Sequence, residues 1–173
     1  MARYTRYRKY SRRYRSKRWS SRITNLDIEQ QVGANTDFFV FRNLATNPVQ
    51  DNDTVSQRYT VKNIRCNFCI ESSTSINNPL DNVQAFVLYV PQGFTLSTST
   101  PYEHPEWIMA SKHIGIPLNN NSPGYASLYM STRLSRKLDT GDKVVFVVQG
   151  SNPTNSTTSA RLTGIIRYNT KAN

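Results

Sequence analysis

Few side chains in this 173-residue chain are spaced for bond-making chemistry. Cys66 and Cys69 have the C-x-x-C spacing of zinc and redox sites. They fall in a run that alternates with period two, so positions three apart point to opposite faces of a strand. Two ligands on opposite faces cannot clamp one ion. The expectation is two free thiols, Cys66 in the core, and no metal. His104 and His113 belong to no ligand pair of recognisable spacing. Asp51/Asp53 and Asp139/Asp142 lie in polar turn segments, where Asp ordinarily bonds its own backbone. No nucleophile elbow, phosphate loop, zincin or dinucleotide fingerprint is present. Neither an enzyme nor a cofactor is expected.

The chemistry that is present is ionic. Residues 1–22 carry Arg3, Arg6, Arg8, Lys9, Arg12, Arg13, Arg15, Lys17, Arg18 and Arg22 and no acid. Tyr4, Tyr7, Tyr10, Tyr14 and Trp19 are interleaved with them. The chain's net charge is +11; residues 23–173 hold twelve basic and eleven acidic residues, a net of +1. A nearly neutral body therefore carries a strongly cationic arm, a split that disfavours a small metabolic enzyme and favours a polyanion partner. The arm cannot bury a core and its charges repel, so disorder is expected in the free protein.

Ten cations can neutralise about ten phosphates, with a salt slope near −0.7 per phosphate on single strands. Arg outnumbers Lys eight to two in the arm. Guanidinium groups grip phosphate bidentately and stack on bases. The interleaved aromatic rings can stack on unpaired bases, at about 1–3 kcal/mol each. The arm contains no Asn or Gln, so sequence-tolerant binding is expected. Arg12, Arg13, Arg15, Lys17 and Arg18 are also dense enough for a nuclear-import signal, and the two roles can coexist.

The elements that must carry this arm read as strands. Tyr59–Glu71 is the clearest, with Ile64, Cys66, Phe68 and Ile70 facing in and Arg65, Asn67, Cys69 and Glu71 facing out. In Ile23–Val32, Leu26, Ile28 and Val32 share a face. Val83–Val90 and Lys143–Gln149 are apolar on both faces. Arg161–Asn169 puts Leu162, Ile166 and Tyr168 on one side, and Tyr129–Leu138 does so with Met130, Leu134 and Leu138. Residues 105–113 fit either a short helix starting at Pro105 or a strand. Polar loops over 45–57, 72–82, 92–104, 119–126 and 150–159 join the strands. No apolar run approaches the ~18–20 residues of a membrane helix, and no apolar stretch follows the N-terminal charges as in a secretory signal. Long irregular connections between about eight apolar strands favour an all-β, two-sheet jelly roll over an up-and-down barrel.

A short Arg/Tyr arm on an eight-strand β body resembles the capsid proteins of small circular single-stranded DNA viruses, above all the circoviruses. The arm, from Met1 to Trp19, resembles their basic N-terminus. Arg58-Tyr59-Thr60-Val61-Lys62-Asn63-Ile64-Arg65-Cys66-Asn67-Phe68 is similar to the family's fourth-strand pattern, in which a Tyr precedes alternating basic and aliphatic residues. Val83–Val90 and Ile165-Ile166-Arg167-Tyr168 occupy the order of later strands. The resemblance implies strands B 23–32, C 36–43, D 58–71, E 83–90, F 107–116, G 127–138, H 143–149 and I 160–170, packed as sheets BIDG and CHEF. It implies an arm over 1–22 and a shell domain over 23–173. It further implies a homo-oligomer of about sixty copies in a T=1-like icosahedral shell, with viral single-stranded nucleic acid and nuclear-import receptors as partners. The localisations that follow are virion and host nucleus. Small satellite viruses of plants also pair a basic arm with a jelly roll, so DNA is expected first and RNA stays open.

A monomeric nucleic-acid-binding β domain with a basic extension, of ribosomal or chromatin type, is the rival reading. Such a protein ordinarily keeps basic patches on its body. The body's net of +1 favours a partner reached through the arm alone. Tyr102, Trp107 and Tyr125, in loops or at strand ends, suit either a subunit interface or a capped monomer core.

Overall fold

The computed structural model describes residues 19–47, 58–72, 80–115 and 125–172. Arg3 to Arg18, the expected disorder of the arm, and Asp51 and Asp53 lie outside the described residues. Nine strands occur among those described: β1 (Ser20–Val32), β2 (Thr36–Thr46), β3 (Tyr59–Ser72), β4 (Asp81–Val90), β5 (Ile108–Ile114), β6 (Tyr125–Thr132), β7 (Arg136–Leu138), β8 (Lys143–Asn152) and β9 (Thr158–Ala172). A one-turn helix, α1 (Thr100–Glu103), and a 3₁₀ turn over Pro105–Trp107 precede β5.

One sheet has the order β1-β9-β3-β6, with β7 also on β3; the other has the order β2-β8-β4-β5. Each ladder is antiparallel. With β6 and β7 taken as one interrupted strand G, these orders are BIDG and CHEF. The chain is an antiparallel jelly roll.

The period-two pattern explains the packing. Leu26, Ile64, Phe68, Ile70, Leu162 and Ile166 of the BIDG sheet are buried against Val40, Val83, Val87, Phe146 and Val148 of the CHEF sheet. The Phe68 and Phe146 rings meet edge-on across the sandwich, with centroids 5.0 Å apart. The alternation in β3 is interrupted once. Val61 and Ile64 are both fully buried although three residues apart. Between them Asn63 has φ +54° and the β9 register shifts between Lys62 and Arg65. Asn tolerates the left-handed conformation, and the extra residue returns the apolar set to the core.

β4 and β8 are apolar on both faces because both faces are covered. Phe86, Leu88, Val90, Val145 and Val147 form a second cluster on the far side of the CHEF sheet, with Phe39, Phe94, Leu96 and Ile108 packed on it. The segment 92–104, expected as a polar loop, thus lays Phe94 and Leu96 on the sheet. Beside it Trp107 stacks on His104 at 3.9 Å and meets Phe94 edge-on at 4.7 Å. Both alternatives at 105–113 hold in part, since a single 3₁₀ turn leads directly into a strand.

Two expectations need correction. Leu134 is 53 % exposed rather than in the core, because the G strand breaks between β6 and β7 and carries it out of register. The sheet begins at Ser20, not Ile23: Ser20, Ser21 and Arg22 pair with Thr170, Asn169 and Tyr168. Backbone pairing extends the strand past the point where side-chain alternation stops signalling it.

Candidate nucleic-acid interface

Of the arm residues singled out by sequence, the described structure places Trp19 and Arg22. Arg22 is exposed on β1 opposite Tyr168. Trp19 is 38 % exposed. The Lys62 ammonium lies 3.8 Å from its ring centroid and that of Lys171 5.9 Å, so the ring is flanked by two cations.

Cross-strand partners point to the same side of a sheet, so register gives the outer face of the BIDG sheet row by row. At one end Glu29, Arg161, Glu71 and Tyr125 share a row, followed by Asp27, Thr163, Cys69 and Ser127. Next come Asn25, Ile165, Asn67 and Tyr129, then Ile23, Arg167, Arg65 and Ser131. Beyond those lie Ser21, Asn169 and Lys62, and finally Lys171, Thr60 and Lys137 beside Trp19. The face is polarised. Its acids, Asp27, Glu29 and Glu71, gather at one end, where Arg161 lies 3.7 Å from Asp27. Five basic residues occupy the end from which the arm departs. A groove of about 590 Å³ crosses the middle of this face, lined by Tyr129, Ile165, Asn67, Arg65 and Arg167 among others.

The remaining chemistry-capable residues serve the fold. Cys66 is fully buried, and burial pushes its thiol up to about 12. Cys69 faces the other side, with its sulfur 3.0 Å from the Tyr125 hydroxyl. The C-x-x-C pair therefore spans the sheet, and no cluster of three or more His, Cys, Asp or Glu able to hold a metal occurs among the described residues. A thiol reagent at pH 8 is expected to modify Cys69 and spare Cys66 until the protein is denatured, as read by peptide mass spectrometry. Equal labelling of both in the folded state would refute the register of β3.

Asp142, also a candidate, is buried. It accepts hydrogen bonds from the Tyr89 hydroxyl at 2.7 Å and from the backbone N–H groups of Asp139 and Gln92 at 2.9 and 3.1 Å. Burial first, then the bond to Asp142, pushes the Tyr89 phenol up to about 12. Asp139 pairs with Arg58 at 3.0 Å. The two acids organise the turn into β8. His104 contacts Glu106 at 3.1 Å beside Trp107.

No family model matches this chain. No curated protein matches it either. Solved structures with a similar course include that of infectious bursal disease virus, Gx strain, at 9% identity and TM-score 0.35, covering 88% of this chain and 32% of the other. The chain thus spans about a third of that protein's length. Maize chlorotic mottle virus matches at 12% identity and TM-score 0.39, covering 90% and 93%. A bacterial lipoprotein from Bacteroides thetaiotaomicron matches at 8% and 0.39, covering 87% and 89%. The jelly-roll assignment rests on this chain's own strand order.

Sequence reasoning missed the clustering of body charge. Arg65 and Arg167 appear in the sequence as ordinary solvent-facing positions of two separate strands. Only the β3–β9 register makes them neighbours.

Of the aromatic residues considered for an interface, Tyr102 and Tyr125 are 60 % and 49 % exposed, and Tyr129 joins them at 54 %. Trp107 is half-buried beside the segment that covers the CHEF sheet. Tyr102 donates its hydroxyl proton to Gln84 Oε1 at 3.0 Å and accepts from Gln149 Nε2 at 3.1 Å, which ties α1 to that sheet. No helix among the described residues is long and apolar enough to cross a membrane.

Proposed function

We propose that this chain is a viral coat protein that self-assembles into a closed shell and packages single-stranded nucleic acid through its basic N-terminal arm. The observation that carries the reading is the division of the molecule: ten of the basic residues and no acid lie in residues 1–22, ahead of a jelly roll of order BIDG and CHEF. A jelly roll alone assigns no function. Joined to an arm of this charge density, it matches the design expected of a protein that encloses a polyanion. Arm residues Arg3 to Arg22, with Tyr4, Tyr7, Tyr10, Tyr14 and Trp19, are the packaging element, and Arg12 to Arg18 double as a nuclear-import signal. The shell is T=1-like with about sixty copies, the closed point group that places every subunit in one environment. Circular single-stranded DNA is the proposed cargo.

Full-length protein expressed alone and viewed by negative-stain microscopy is expected to give uniform closed particles. Nucleic acid inside them is expected to resist added nuclease. A monomer that binds nucleic acid without forming particles would overturn the coat-protein reading in favour of a monomeric binding module. Sensitivity of the extracted cargo to DNase or to RNase identifies its chemistry.

A further inference from the structure

We infer that the basic end of the outer BIDG face is itself a binding surface for single-stranded nucleic acid, continuous with the arm. The inference rests on the packaging reading and assigns that role to residues of the folded body. It also orients the subunit, since a face that grips the cargo looks into the shell.

Three observations carry it. First, Arg65 and Arg167 are directly paired across β3 and β9. Like charges in that position destabilise a sheet, and an anion bridging them converts the repulsion into attraction. Among the described residues no carboxylate forms an ion pair with Arg65, Arg167, Lys62, Lys171 or Lys137. Asp27 is four residues along the sheet from the row of Arg167, about 13 Å at strand rise. That distance exceeds the Debye length of about 10 Å at 0.1 M salt.

Second, the cations adjoin apolar and aromatic surface suited to unpaired bases. Tyr129 and Ile165 flank the groove that Arg65 and Arg167 close at one end, and both are exposed, at 54 % and 41 %. A flat ring beside a phosphate-binding pair is the arrangement that binds single strands irrespective of sequence. Third, the chain leads there. Trp19 lies at this end, its ring centroid 3.8 Å from the Lys62 ammonium and 5.9 Å from that of Lys171, and the arm's cations immediately precede it in sequence. A strand held by the arm is delivered to the body's own cations without a gap.

The test uses full-length protein and a fluorescent oligothymidine, with affinity measured by anisotropy across a salt series. The Arg65→Gln/Arg167→Gln double variant removes two phosphate contacts, so its log-affinity against log-salt slope is expected to be shallower by about 1.4. Between 50 and 200 mM salt, wild type should then lose about sevenfold more affinity than the double variant. Arg161→Gln, on the same face at the acidic end, is expected to keep the wild-type slope. Circular dichroism establishes that each variant is folded. An unchanged slope in the double variant, or an equal loss in Arg161→Gln, overturns the inference while leaving the arm's role intact. Particles that fail to assemble at unchanged oligonucleotide affinity would make the face a contact between copies, which also overturns it. Absence of salt-dependent binding by wild type refutes both this inference and the packaging reading.

Discussion

A Gly164→Val variant is expected not to fold. Gly164 occupies an inward position on β9 between Leu162 and Ile166, paired with Leu26 on one side and Phe68 on the other. A Cβ at this position would stand 2.6 Å from the Phe68 Cα, 2.7 Å from its Cβ, and in collision with the Asn67 carbonyl oxygen. The obstacle is backbone of a central strand that is also held by β6, so no side-chain rotation relieves it. Overpacking a core costs about 1–3 kcal/mol where side chains can give way. Where the backbone must give way the cost exceeds that range, against a total stability of about 5–15 kcal/mol for a domain. Gly164→Ala places that same Cβ against the same backbone atoms and is expected to be strongly destabilised as well, with Gly164→Val the worse of the two because its two methyl groups add further overlap. Far-UV circular dichroism and thermal melts of the two variants check this. Wild-type melting by Gly164→Val would show that β3 and β9 do not approach so closely.

The need for glycine at 164 illustrates which information the sequence displays and which it withholds. The strand over Tyr59–Glu71 is legible because its alternation is strong and one face is buried along nearly its whole length. The order of apolar strands, and hence the two-sheet architecture, followed from periodicity and loop length. The covering role of Phe94 and Leu96 was not legible, because isolated apolar residues in a Ser/Thr/Pro-rich segment carry no period. Its trace was indirect: β4 and β8 are apolar on both faces, which implies that something covers each face. The β1 start at Ser20 was hidden because Ser20-Ser21-Arg22 join the sheet by backbone pairing alone. The arm's chemistry was written in its composition. The charge asymmetry of the body was not, since a net of +1 over residues 23–173 conceals an acidic end and a basic end of one sheet. A sum over sequence removes the information that register restores. The expectation that the partner is reached through the arm alone rested on that sum, and the basic end of the BIDG face removes its basis.

The largest effect is expected from the arm's charge in the assembled shell. In the proposed shell, about sixty arms of ten cations would bring on the order of 600 positive charges into one cavity. At 0.1 M salt they repel over about 10 Å, and at lower salt over longer distances. An empty shell bears this repulsion unrelieved. A filled shell replaces it with phosphate contacts and released counterions. Each body carries a net of only +1 over residues 23–173, so contacts between bodies are expected to respond less to salt than the arms do. Emptied full-length particles are therefore expected to disassemble sooner than filled ones at low salt, and added salt should narrow the difference by screening the repulsion. Removing residues 1–18 takes away nine of the ten cations and about six units of salt slope on single strands. Such particles should lose most of their nucleic acid and show little difference between emptied and filled states. Residual cargo should be released at lower salt than from wild type, since only body cations and Arg22 remain to hold it. Disassembly midpoints of filled, emptied and arm-deleted particles, followed by light scattering across a salt series, measure these differences. Equal midpoints for emptied and filled full-length particles at low salt would sink charge neutralisation as the source of shell stability. The arm's import role would then be its principal one.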